Sequence, residues 1–304
     1  MPVFDTPEPI LVTIELGVGT VHVVASDRTD TTVHVRPGDR ADFGDVVTAA
    51  EAVVDYADGE LLVSVGRPQG LPRGGGSVIV DIEVPTGSGV QGDALAADFS
   101  CEGRVGECHI TTACGHLRFA RTGSLYLSSL LGNVTAQHVS GDVEAVTECG
   151  DVTLHTVEGT VRLTRTLGAT HLGEVAGATH VSAHSGQVRI GRAHAAVEAR
   201  TVQGDIRIDE ALRGPLALES EAGGLDVAIA DGAGARLDLD SASGTVYRSL
   251  DLLDTLAAVP PAAATRMVEV RARTRTGDIV LRRAALAPDD GSQASQRFQH
   301  PWGS

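Results

Sequence analysis

The sequence predicts an all-β fold, a right-handed parallel β-solenoid or β-helix built from coils of about 18 residues. Three observations lead there. Glycine recurs at a fixed step, an apolar–polar–apolar triplet follows each glycine at constant phase, and only 3% of the residues are aromatic. A core so poor in large rings has to be assembled in thin layers of Val, Leu, Ile and Ala, each layer buried by the next.

The glycine step is countable. From Gly132 it is nine residues, through Gly141, Gly150, Gly159, Gly168, Gly177 and Gly186, with Ala195 in the next slot and Gly204 after it. Gly106, Gly115 and Gly123 precede the run, and Gly214, Gly224, Gly234 and Gly244 continue it at a step of ten. Two residues after the glycine stand Val134, Val143, Val152, Val161, Val188, Val197 and Ile206. Two further on stand Ala136, Ala145, Leu154, Leu163, Leu172, Val181, Ile190, Ala199 and Ile208, with polar residues between the two columns. That alternation marks a half-buried strand. A third inward column is expected seven residues after the glycine, at Val139, Val157, Val175 and Val202, and would also take in Thr166 and His184. Thr170 and Thr179 interrupt the first column.

Each unit is therefore a short strand and a glycine turn. Two units could close one coil of a solenoid, or successive units could pair antiparallel in a meander. The single turn register and single glycine phase favour the solenoid, with glycine supplying the positive φ of a tight corner.

Residues 1–98 read differently, as a β-rich capping module. Ile10, Val12, Ile14 and Leu16 alternate, and Asp58-Gly59 signals a hairpin between Val53–Tyr56 and Leu61–Val63. A Gly/Pro-rich loop from Gly66 to Gly76 leads to a strand over Ser77–Val84 that Pro85 ends. An open solenoid end exposes unpaired edges, so a cap is needed. The solenoid is expected over 99–284. It is interrupted at 250–266 by a loop or short helix carrying Leu250, Leu252, Leu253 and Leu256, and the polar tail 285–304 is expected to be disordered.

Charge narrows the function. The net charge is −16 and every basic residue is arginine. This balance speaks against a nucleic-acid backbone binder and against docking on anionic lipid. No apolar run approaches a membrane span and the start has no signal-peptide pattern. Cytoplasmic residence without membrane insertion is the expectation, with surface exposure as the alternative.

The arrangement resembles a bacterial domain-of-unknown-function family of β-strand-repeat, adhesin-like proteins, most strongly its actinobacterial members. The resemblance rests on Phe4-Asp5-Thr6-Pro7-Glu8-Pro9-Ile10, Glu15-Leu16-Gly17-Val18-Gly19 and Ala25-Ser26-Asp27-Arg28-Thr29-Asp30. It continues through Cys101–Cys108, the Gly-Asp-Val units at Gly141 and Gly150, and Val268-Glu269-Val270-Arg271-Ala272-Arg273, spanning residues 3–284. It implies the architecture and no established reaction.

Chemistry-bearing residues are sparse. Turn calcium would need an aspartate at each turn, and only Asp142, Asp151 and Asp205 directly follow a repeat glycine. A polysaccharide lyase or hydrolase would need carboxylates clustered on one face. Asp209 and Glu210 are adjacent, and neighbours on a regular strand point to opposite sides. Cys101, Cys108, His109, Cys114 and His116 lie within 16 residues but lack zinc spacing, and the cysteines are expected to be buried free thiols. No catalytic residue, metal or cofactor is expected. The remaining feature is an outward column at an 18-residue step, Thr153, His171, Arg189 and Arg207, flanked by His155. It is the candidate interaction face. The function expected is a non-catalytic structural or interaction protein, a scaffold or adhesin, docking a protein partner or a second copy through its faces. A carbohydrate-active β-helix enzyme is the alternative.

Overall fold

The computed structural model describes residues 2–66, 76–249 and 267–284. The interruption at 250–266 and the tail at 285–304 lie outside the described residues, as does most of the Gly66–Gly76 loop.

The first hundred residues form β1 (Val3–Asp5), β2 (Leu11–Ser26), β3 (Asp30–Pro37), α1 (Phe43–Ala50), β4 (Val53–Ala57), β5 (Glu60–Val65), β6 (Ser77–Pro85) and β7 (Gly89–Arg104). The long strands β2 and β7 lie parallel and in register from Leu11↔Gly89 to Ala25↔Gly103. On the other side of β2, β5 and β6 together make the outermost parallel layer. Antiparallel β1, β3 and β4 close that end, β3 on β6, β1 on β3 and β4 on β5. The Asp58-Gly59 hairpin is present, with both residues at positive φ (51° and 82°). The helix α1, which no sequence pattern announced, is N-capped by Asp42. It is tied to β6 by Asp45 Oδ1, which accepts from the Ser77 N–H at 2.7 Å. β7 runs through position 98/99, where the repeats were expected to begin.

Nine two-strand coils follow among the described residues. They are β8 (Cys108–Cys114) with β9 (Leu117–Thr122), β10 (Leu125–Leu131) with β11 (Val134–Val139), and β12 (Val143–Cys149) with β13 (Val152–Val157). Next come β14 (Val161–Leu167) with β15 (Thr170–Val175), β16 (Thr179–Ser185) with β17 (Val188–Ala193), and β18 (Val197–Gln203) with β19 (Ile206–Ala211). The last are β20 (Gly214–Ala222) with β21 (Leu225–Ile229), β22 (Gly234–Ser243) with β23 (Val246–Ser249), and β24 (Met267–Thr276) with β25 (Ile279–Arg283). Even-numbered strands stack into a first sheet and odd-numbered strands into a second, all parallel. Val134 pairs with Val152, Val152 with Thr170, and Thr170 with Val188, so one coil is 18 residues. The fold is a parallel β-solenoid. At its C-terminal end the order changes: β24–β25 lies between β20–β21 and β22–β23.

The two predicted inward columns are buried along the stack, as Val152 and Leu154 show at 1% exposure each. The third column needs correction. In the second sheet, Val139, Val157, Val175, Ala193 and Ala211 are buried seven residues after the corner. In the first sheet the buried position comes six after it, at Thr112, Ser129, Thr147, Arg165, Ala183, Thr201 and Ser220. Val202 is therefore only half-buried, and Thr166 and His184 are exposed. First-sheet strands keep strict alternation. Second-sheet strands carry two consecutive outward residues before the third inward one, which delays it by one position.

Towards the C-terminal end this polar column caps corners, whereas the Ser129 and Thr201 hydroxyls are buried without a partner among the described residues. Ser220 Oγ donates to the Gly204 carbonyl at 3.2 Å, Thr274 to Gly223 at 2.9 Å and Ser241 to Gly277 at 2.9 Å. Each hydroxyl caps a corner carbonyl of the adjoining coil, which would otherwise be a buried unpaired acceptor.

The corners are of two kinds. Leading from first to second sheet, Gly132, Gly150, Gly168, Gly186 and Gly204 all have φ between 119° and 151°, a region that L side chains avoid. The return corners at Gly141, Gly159 and Gly177 are not in that region, and this is why Ala195 fits the same series. The acidic residue of the Gly-Asp-Val units also acts between layers. Asp151 Oδ1 accepts from the Ala169 N–H at 2.7 Å and Asp205 Oδ1 from the Gly224 N–H at 2.7 Å. Asn133 does the same for Asp151 at 2.9 Å.

Candidate functional site

The second sheet brings the predicted column together. Thr153 pairs with His171, His171 with Arg189 and Arg189 with Arg207, in adjacent layers ~4.8 Å apart. The arginines are not free positive charge. Arg189 Nε reaches Asp209 Oδ2 at 2.7 Å and Arg207 Nε reaches Asp209 Oδ1 at 2.6 Å. Arg207 also lies 3.6 Å from Asp226, which Arg282 holds at 3.0 Å. Burial pushes the Asp209 carboxyl up, but hydrogen bonds from Arg207 and Arg189 outweigh it and hold the group below the ordinary aspartate value. Beside it, Arg192 pairs with Glu210 at 2.6 Å and His194 with Glu174 at 2.7 Å. Exposed pairs of this kind add little stability singly. As a lattice they fix long side chains in one arrangement.

This geometry corrects the reading of Asp209 and Glu210. They do not point to opposite sides. The pairing shifts register between Ile208 and Ala211, both inward, so the two acids between them share the outer face.

Of the histidine–cysteine group only Cys101 and Cys108 meet, and the neighbouring Cys108 thiol, with burial, pushes the Cys101 thiol up. Cys101 and Cys108 are buried inside the stack as expected, but Cys114 is exposed and Cys149 only half-buried, which corrects the buried-thiol reading at those two positions just before a corner glycine. His109 stacks on Tyr126 with centroids 4.4 Å apart and bonds Glu107. The His116 N–H donates to Asp98 Oδ1 at 2.6 Å, and its Nδ1 accepts from the Asn133 N–H at 3.2 Å. Among the described residues no three His, Cys, Asp or Glu are grouped to hold a metal ion. The Asp142, Asp151 and Asp205 carboxylates are committed to backbone N–H groups of the neighbouring coil.

The Gly168-Ala169-Thr170 departure from the repeat finds its cause in Arg165, a buried arginine at 4% exposure. Its Nη1 donates to Thr170 Oγ1 at 2.6 Å and its Nη2 to the Gly150 carbonyl at 3.3 Å. A valine at 170 would leave that guanidinium with one acceptor fewer. Burial lowers the pKa of Arg165.

Sequence reasoning missed one grouping. Arg104 and Arg121 stand directly opposite each other in adjacent layers, with His138 next to Arg121. The spacing of 17 residues hides it, because the pairing is shifted by a bulge at Glu102-Gly103.

A stack of parallel two-strand coils with ion-paired outer faces defines a β-solenoid repeat protein. The chain belongs to the Toastrack DUF4097 family, which it matches over residues 14–282. It is similar to the "putative adhesin" of Parabacteroides distasonis at 12% identity, covering 92% of this chain and 95% of that one, with a TM-score of 0.34. A second such protein, from Parabacteroides merdae, is 15% identical over 74% of this chain and 94% of its own, TM-score 0.34. The "putative cell adhesion protein" of Clostridium sporogenes is 11% identical over 93% and 98%, TM-score 0.23. No curated protein sequence matches the chain. Among the described residues no helix is long and apolar enough to cross a membrane.

Proposed function

We propose that the chain is a non-catalytic interaction protein, resident in the cytoplasm, that presents the second-sheet face to an acidic protein surface or to a second copy of itself. The N-terminal motifs support placing it in the actinobacterial branch of its family. The observation that carries the reading is the in-register column Thr153, His171, Arg189 and Arg207 on a rigid sheet. Asp209 and Asp226 hold its arginines extended in advance. Binding to such a surface loses little side-chain freedom, and an incoming carboxylate can compete for guanidiniums already in place.

The test is Arg189→Glu with Arg207→Glu, followed by sedimentation and by pull-down from the native host at low and high salt. Loss of the heavier species or of a salt-sensitive partner is expected. Unchanged mass, partners and salt response would remove the column as a site. Incubation with acidic and neutral polysaccharides, with and without calcium, checks the enzyme alternative, and released product would overturn the non-catalytic reading.

A further inference from the structure

Arg104 and Arg121 are exposed arginines directly opposite each other on neighbouring strands. Like charges directly opposite on neighbouring strands repel, and these two guanidiniums have no carboxylate within salt-bridge distance among the described residues, in a chain of net charge −16. Further along the same sheet the equivalent problem is solved by placing Asp209 between Arg189 and Arg207. Here that place is left open.

The backbone is shaped to make the pair. Cys101 pairs with Phe119 and Arg104 with Arg121, so three steps on β7 match two on β9. The extra residue is accommodated at Gly103, whose φ is 77° and where a side chain would collide with the Ala25 carbonyl. Bulges of this kind re-aim side chains, and this one brings Arg104 into line with Arg121. The ladder resumes at once, with Val105 N–H donating to the Arg121 carbonyl at 3.0 Å. Both arginines open onto one groove, whose other polar groups come from Gln137, His138, Ser140 and Glu158, with Thr122 turned to the Gly106 carbonyl. Glu158 occupies His138, at 3.2 Å, and leaves the arginines alone.

We infer that this groove is a binding site for an acidic saccharide, a sugar ring bearing a carboxylate. A carboxylate between two guanidiniums one layer apart relieves their repulsion and accepts paired charge-assisted hydrogen bonds. The amide of Gln137, the imidazole of His138 and the hydroxyl of Ser140 suit ring hydroxyls. No apolar side chain larger than Ala120 lines the groove, so it offers a peptide's hydrophobic residues nothing. The bulk negative charge of the protein is screened beyond roughly 8 Å at physiological salt, and the arginines decide the local sign. The site lies on the same second sheet, in layers before the column above, shares no residue with it and involves no turnover.

The probe is a galacturonate hexamer, titrated calorimetrically against the full chain. Saturable binding is expected. It should weaken at least tenfold in the double variant Arg104→Gln with Arg121→Gln, and stay unchanged in Arg162→Gln, which removes an exposed arginine from the first sheet. A neutral galactose oligomer should not bind. Without ligand, the double variant should melt at or above the wild-type temperature, since a repulsion has been removed. No binding by the wild type, equal binding by the double variant, or a double variant that melts below the wild type would overturn the assignment. So would tighter binding of a polyglutamate peptide, or inorganic sulfate binding as tightly as the hexamer.

Discussion

Asp142 Oδ1 accepts a hydrogen bond from the backbone N–H of Thr160 at 2.7 Å and from its hydroxyl at 2.9 Å, one coil further along the stack. The side chain of one layer thus closes the hydrogen bonding of the next. The Thr160 backbone N–H, and then its hydroxyl, hold the Asp142 carboxyl below its ordinary pKa. A depressed carboxylate contributes stability above its unfolded pKa and loses it as pH falls through the folded value. Asp142→Asn keeps the acceptor and discards the charge. The variant should be less stable than wild type near neutral pH, and the gap should close between about pH 5 and pH 2. Urea midpoints across that range check it, and a constant gap would contradict the linkage.

Val152→Asp and Thr153→Asp should differ sharply. Val152 is 1% exposed, and an unpaired carboxylate there should cost upwards of ~4 kcal/mol. Thr153 lies on the outer face and its change should stay within about 0.5 kcal/mol. Thermal melts of the two variants measure the difference directly, and similar melting temperatures would mean the register is misplaced.

The two corner types make a second contrast. Gly186→Ala puts a methyl at φ 119° and against the Gly168 carbonyl, and should cost more than ~3 kcal/mol. Ala195→Gly, in the other corner series, should cost only about 0.5–1 kcal/mol through the unfolded chain. Chemical denaturation of both variants tests this, and equal losses would erase the distinction.

Arg165 and Thr170 form a buried pair at 2.6 Å. Thr170→Val alone should destabilise by about 1–2 kcal/mol, because it strips an acceptor from a buried cation. Combined with Arg165→Met the loss should vanish or reverse, since a buried charge without a carboxylate is costly to keep. The coupling energy should be on the order of 1–3 kcal/mol in a double-mutant cycle. Additive effects would show that the two side chains act separately.

Much of this architecture is visible in the residues themselves. Positions such as Val152 and Leu154 announce the inward faces because burial selects a residue type at every layer. The nine-residue glycine step, however, conceals that successive corners differ. Glycine serves positive φ at Gly150 and close stacking of backbones at Gly159, and the letter is the same for both. The third inward column was misplaced at Val202 for a related reason. A one-residue delay in the second sheet leaves no trace in a pattern that Val, Thr, Ser and Ala all satisfy. The column of Thr153, His171, Arg189 and Arg207 could be read from an 18-residue step. Its neutralisation by Asp209 could not, because two adjacent acids on one face contradict simple alternation. Arg104 and Arg121 were hidden by the Gly103 bulge.

The interleaving at the C-terminal end bears on how the molecule comes into being. Coils β8–β9 through β20–β21 can each settle on the one before as the ribosome releases them. The coil β22–β23 cannot, because its only partner among the described strands is β24–β25, which is made later. That segment gains its native partner only once β24–β25 has been made. Its fellow at the other end, β2, waits in the same way for β5, β6 and β7. A stack that extends by simple addition is thus closed, at both ends of its described strands, by strands that arrive out of turn.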